Sequence, residues 1–128
     1  MKKFFLMLCF MVCGLVAQAQ NYQFYTYQFS YRVVDNGEWT DWSDWQDSRM
    51  LVSINADNDV ISIQSADPQR YQVLELGELE EDGEGTSQEF LCVNEDNVRC
   101  NIRLRIQNDG IKQLYVDFAD AMWVYSLE

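Results

Sequence analysis

The sequence predicts an all-β domain: an antiparallel meander of about eight strands, closed as an up-and-down barrel or bent into a strongly curved sheet. Three observations carry this. First, apolar residues recur at period two, as in Cys100, Ile102, Leu104 and Ile106 with Arg99, Asn101, Arg103 and Arg105 between them, the mark of a strand buried on one face. Second, clusters of Asn, Asp and Gly separate these segments at short intervals. Third, no helical period appears after the first twenty residues. A barrel hides strand edges best for this many sequential strands; a β-sandwich is the alternative.

Residues 1–19 read as a signal peptide. Lys2 and Lys3 form a basic start, Phe4–Val16 an apolar core, and Ala17-Gln18-Ala19 a small-x-small cleavage site. The apolar run is short for a transmembrane helix. Residues 20–128 then form one domain, about 109 residues being enough for a single core and too few for two. The implied destination is the periplasm or the outside of the cell, with no membrane contact once the signal is removed.

The domain opens with Tyr25, Tyr27, Phe29, Tyr31 and Val33 on one parity and Thr26, Gln28, Ser30 and Arg32 on the other. Asp35-Asn36-Gly37 ends this strand, and Asn-Gly is the strongest short-range hairpin signal because a type I′ turn needs positive φ at both central residues. The returning arm carries Trp39, Trp42 and Trp45. Met50, Val52 and Ile54 alternate, Asn55–Asn58 turns the chain, and Ile61 and Ile63 alternate before Ala66-Asp67-Pro68. Tyr71–Leu76 is a further strand, and Glu78–Ser87 reads as an acidic, glycine-containing loop. Glu89–Ile106 is a hairpin turning at Asn94–Asn97, which sets Cys92 opposite Cys100. Asn108-Asp109-Gly110 leads to Leu114, Val116 and Phe118, and Met122–Leu127 is the last strand.

Composition excludes several chemistries. Histidine is absent, which removes the commonest general base, nucleophile partner and zinc ligand. Of four cysteines two lie in the signal segment; Cys92 and Cys100 remain, and in an oxidising compartment they suit one structural disulfide. No metal site, cofactor motif or catalytic residue is assigned. Glu78, Glu80, Glu81, Asp82 and Glu84 do not match a calcium-loop spacing and read as a solvated stretch. With 21 acids, a carboxylate-only hydrolase built around Asp117 and Asp120 stays a minor alternative. The net charge is −12, and −14 once Lys2 and Lys3 leave with the signal, 21 acids then facing 7 bases. That charge argues against nucleic acid, whose phosphates need Lys and Arg.

Trp39-x-x-Trp42-x-x-Trp45 resembles the tryptophan ladder of thrombospondin type 1 repeats. The resemblance implies indoles stacked against arginines of a neighbouring strand, a role open to Arg103 and Arg105, with Arg99 further up. This chain lacks the cysteine framework of those modules, so the stacking idea is kept and the family assignment rejected. The Lys-Lys-Phe-Phe start, Ala-Gln-Ala-Gln, Trp-Ser-Asp-Trp and the terminal Leu-Tyr-Val-Asp-Phe-Ala-Asp-Ala-Met-Trp-Val-Tyr together look similar to small exported Bacteroidetes proteins. That resemblance brings no functional residue.

The functional expectation is an exported, non-enzymatic binding module. Trp39, Trp42, Trp45 and Trp123 are its candidate stacking surfaces, for a carbohydrate or another small neutral or apolar ligand. The alternative is an acidic interaction or inhibitor protein acting on a basic protein partner.

Overall fold

The structure is a computed structural model that describes residues 21–55 and 58–128. The expected signal peptide and the centre of the Asn55–Asn58 turn lie outside the described residues. Ten strands follow one another: β1 (Asn21–Asp35), β2 (Glu38–Trp39), β3 (Gln46–Asp47), β4 (Leu51–Asn55), β5 (Val60–Gln64), β6 (Gln69–Glu81), β7 (Gly85–Val93), β8 (Arg99–Gln107), β9 (Lys112–Asp117) and β10 (Ala121–Leu127). Every pairing is antiparallel and between neighbours in sequence, save that β1 also pairs with β3, β4 and β10. That pairing of first strand with last closes an eight-stranded up-and-down barrel, with β2 and β3 as short additions along β1. The sandwich alternative is set aside by this closure.

Local chemistry explains the turns. Asn36 and Gly37 both have positive φ, +53° and +81°, as the type I′ hairpin requires. Asn97 takes the left-handed conformation, and the Asn94 side chain accepts N–H bonds from Asp96 and Val98, both 2.9 Å, so the hairpin turns where the sequence placed it. Cys92 faces Cys100 in the register.

The barrel interior is filled. Val52, Ile54, Ile61, Ile63, Phe90, Ile102, Leu104, Leu114 and Val116 are wholly buried and form one cluster. Eight strands leave a bore just wide enough for side chains, and the β-branched and leucyl residues occupy it. Gln88 is a polar member of this interior: its side-chain amide donates to the carbonyls of Gly77 at 3.2 Å and Glu89 at 2.9 Å. It serves carbonyls where the β6–β7 register shifts between Leu76 and Leu79. On β8 the arginines Arg99, Arg103 and Arg105 take the parity opposite to the buried Cys100, Ile102 and Leu104.

Two expectations are corrected. The acidic segment Glu78–Ser87 is not a loop. It is a continuing hairpin in which Glu80 pairs with Ser87 and Glu81 with Thr86, leaving only Asp82-Gly83-Glu84 to turn. Asp82 Oδ1 accepts the N–H groups of Glu84 (2.8 Å) and Gly85 (2.9 Å), and the glutamates on the pleat are solvated. Gly85 is demanded by packing, since a Cβ there would stand 2.5 Å from the Ile106 carbonyl. The single parity of Tyr25–Val33 also breaks, because β1 carries a bulge between Thr26 and Gln28. Before it Tyr22 and Phe24 point inward and Tyr25 is exposed; after it Phe29 joins the core side, while Ser30 and Arg32 share the outer face. One extra residue moves every later side chain to the opposite face.

Truncation separates wall from core. Ile102→Ala, at the centre of the filled bore, is expected to lower unfolding free energy by about 2–5 kcal/mol in urea titrations. Val98→Ala, at an exposed turn position, should change it by less than about 0.5 kcal/mol. Equal losses at both positions would contradict a packed interior.

Candidate functional site

The returning arm, residues 38–49, stays on the edge of β1 opposite β10. Val34 pairs with Trp39 and Phe29 with Gln46. Between these pairs the Thr40 N–H donates to the Val33 carbonyl at 2.8 Å and the Ser43 N–H to the Tyr31 carbonyl at 2.7 Å. Side chains lock the arm as well: Ser30 Oγ donates to the Ser43 carbonyl at 2.6 Å, and Tyr31 N–H donates to Ser43 Oγ at 3.0 Å. The arm is therefore irregular as a strand and still well anchored.

This anchoring places the three indoles on the outer wall. Trp39, Trp42 and Trp45 are 39%, 41% and 47% exposed, against a bore whose residues are at zero, so they do not cap the core. The Arg32 guanidinium lies 5.0 Å from the Trp39 ring centre and 5.1 Å from that of Trp42. Both lie within the roughly 6 Å range of cation–π attraction. Arg32 Nε donates to Met122 Sδ at 3.2 Å, which fixes the guanidinium from below. Stacking is thus present, and its arginine is Arg32 of β1.

Arg103 and Arg105 do other work. Arg103 sits over the Tyr115 ring at 4.2 Å, and Arg105 bonds Ser87 at 3.0 Å and Asp82 at 3.3 Å. The N–H groups of Glu84 and Gly85, with Arg105, hold the Asp82 carboxyl below the usual range. Sequence reasoning missed Arg32, although the Asn36-Gly37 hairpin already folds that part of β1 back beside the tryptophan arm.

Beyond Trp42 the outer wall opens. Trp42 and Trp45 line a pocket of about 310 Å³, with Ser30, Ser43, Tyr115 and Val124 and, at one end, Gln113. The Tyr115 hydroxyl donates to Gln113 Oε1 at 3.0 Å, which orients that end. Asp41, Asp44 and Asp47 alternate with the tryptophans along the arm, and all three are exposed.

Trp123 does not join the other indoles. It lies at one end of the barrel on the inner parity, 5.5 Å from the Phe118 ring and packed against the core. There it lines a separate pocket of about 530 Å³ with Tyr71, Gln69 and the Asn94–Asp96 turn. Tyr71 donates to Gln69 Oε1, and Gln69 Nε2 donates to the Tyr125 hydroxyl at 3.1 Å. Burial pushes both phenols up from their ordinary values.

Cys92 and Cys100 sit nearby, directly opposed and buried. The disulfide expected from the sequence is not formed in this structure: both are free thiols, and Cys92 Sγ is directed to the Phe90 carbonyl on its own strand at 3.8 Å. Burial pushes the Cys92 thiol up and the Cys100 thiol to about 11. Of the two candidate hydrolase acids, Asp117 lines a pocket with Cys92 and Cys100, and Asp120 is exposed in the β9–β10 turn. Burial raises the Asp117 carboxyl against the opposing pull of Arg103 and Arg32. Among the described residues no group of three or more acids and cysteines stands close enough to hold a metal ion.

Comparison of the chain with protein-family models, with curated proteins and with solved structures returns no match.

The buried thiols set a pH dependence for the reduced protein. Below an ordinary thiol value of 9.0 the cysteines are neutral whether the chain is folded or not. Above it the unfolded chain releases protons that the native chain retains, so stability falls as pH rises. The urea midpoint of the reduced protein is expected to drop progressively from pH 9.0 to about 11, where Cys100 itself ionises. The Cys92→Ala/Cys100→Ala double variant should lose less over the same window. Identical slopes would show that the thiols do not titrate.

Proposed function

We propose that this protein is an exported, non-enzymatic binding module that works from its outer wall. The observation that carries the reading is the exposure of Trp39, Trp42 and Trp45 on an anchored arm outside a filled barrel. A bore packed with Ile, Leu, Val and Phe at its centre disfavours a ligand there, and the exposed indoles favour recognition at the surface. Exposed indoles held in place by backbone bonds lose little freedom on binding, which favours affinity. Export is supported by the Lys2–Lys3, Phe4–Val16 and Ala17–Ala19 pattern. In an oxidising compartment the opposed Cys92 and Cys100 join, and the alkaline loss of stability set by the free thiols disappears.

The test is tryptophan fluorescence with acrylamide quenching, repeated with soluble glycans, small apolar ligands and basic peptides. Most of the emission should be quenchable, and one ligand class should protect it. Trp42→Ala should remove the protected fraction while leaving the urea midpoint nearly unchanged. Quenchable indoles that no ligand class protects would overturn the proposal.

A further inference from the structure

Resting on the reading of the outer wall as the binding surface, we infer that the gap between Trp42 and Trp45 receives an arginine side chain from a basic protein partner. The arm presents three indoles three residues apart, and β1 runs beneath them with its outward residues two apart. The first gap, Trp39 to Trp42, is filled by Arg32 of the chain itself, with both rings about 5 Å from the guanidinium. The next outward residue of β1 is Ser30, which bonds the arm through Ser43 and reaches no further. What an arginine occupies in the first gap is open space in the second, a pocket of about 310 Å³ floored by Ser30 and Val124.

The chemistry of the occupant follows from that of its neighbour. Indole faces attract a flat cation, and a guanidinium offers a face to stack and edges that donate hydrogen bonds. Ser43 Oγ and Gln113 Oε1, which already accept from the Tyr31 N–H and the Tyr115 hydroxyl, line the pocket with a second lone pair for those edges, and the exposed Asp41 and Asp44 flank Trp42. A chain of net charge −12 draws such a partner in and repels an anionic one. The volume lies at the small end of ligand pockets, about 300–1,000 Å³, which suits one side chain better than an extended glycan.

The experiment titrates the full protein with three glycine–serine peptides that differ at one position: arginine, lysine or citrulline. Indole emission and calorimetry give the affinity, at low and at physiological salt. The arginine peptide should bind about tenfold more tightly than the citrulline peptide, and added salt should weaken it. Trp45→Ala, which removes one wall, should reduce that preference to nothing, whereas Val98→Ala, at an exposed turn position that lines no part of the gap, should leave it. Ser30→Arg should fill the gap from within and abolish binding; Trp45→Ala carries the test if that variant does not fold. Equal binding of the arginine and citrulline peptides would overturn the inference, as would equal losses in the Val98 and Trp45 variants. Protection by a neutral glycan without arginine binding would overturn this inference and leave the outer-wall reading standing. Absence of any protecting ligand would overturn both.

Discussion

β1 is hydrogen-bonded along both of its edges, and the rest of the molecule depends on that. Its first residues, Asn21–Tyr25, pair with β4, and Gln28–Val33 pair with β10. Joining first strand to last removes the two open edges that a meander would otherwise expose to other chains. The same pairing, with the Thr26/Gln28 bulge, fixes which side chains leave the core. Ser30 and Arg32 face outward because the bulge turns them there. The tryptophan arm can stand above them only because the other edge of β1, past its pairing with β4, is free to hold it.

Two kinds of aromatic follow from this geometry. Tyr22, Phe24, Phe90 and Tyr125 belong to the core cluster, where burial of area stabilises the fold. Trp39, Trp42 and Trp45 contribute little to the bore and are held by backbone bonds and by one arginine. Arg49 over Tyr25 at 4.7 Å and Arg103 over Tyr115 at 4.2 Å repeat the pairing elsewhere on the wall. In so acidic a chain the few arginines are spent on aromatic faces at least as much as on carboxylates. An exposed ion pair such as Arg49–Glu128 adds little by itself. An arginine between two indoles gives a rigid, shaped surface, and that shape extends past Trp42 into an open pocket.

Much of the fold was legible in the sequence because period-two burial is a direct consequence of the pleat. Val52/Ile54, Ile61/Ile63 and Ile102/Leu104 all face inward as the alternation requires. The Asn36-Gly37 turn and the Cys92/Cys100 register follow from turn chemistry and counting. The bulge in β1 was not legible, since Tyr25 to Val33 reads as unbroken alternation on either side of it. The acidic hairpin was hidden for another reason: glutamates on a solvated strand look like a charged loop when the apolar members, Leu76 and Leu79, are separated by two residues rather than one. At the candidate site the three tryptophans that the sequence spaces three apart do lie together on the outer wall. Their arginine was sought on a distant strand because pairing across a hairpin was read for its turn and not for its outward neighbours. Trp123 shares only its residue type with the others; its place opposite Tyr31 is set by barrel closure, which no local pattern displays.

The central claim is that the tryptophan arm lies on the outside of a closed, filled barrel. Incorporation of fluorotryptophan and ¹⁹F spectroscopy with a soluble paramagnetic agent tests it most directly, because the chain has four tryptophans and each gives one resonance. Single Trp→Phe variants assign them. Trp39, Trp42 and Trp45 should broaden strongly, and Trp123, packed against Phe118 and the core, should broaden least. Resonances of Trp42 and Trp45 as protected as that of Trp123 would place the arm inside the fold and contradict the account.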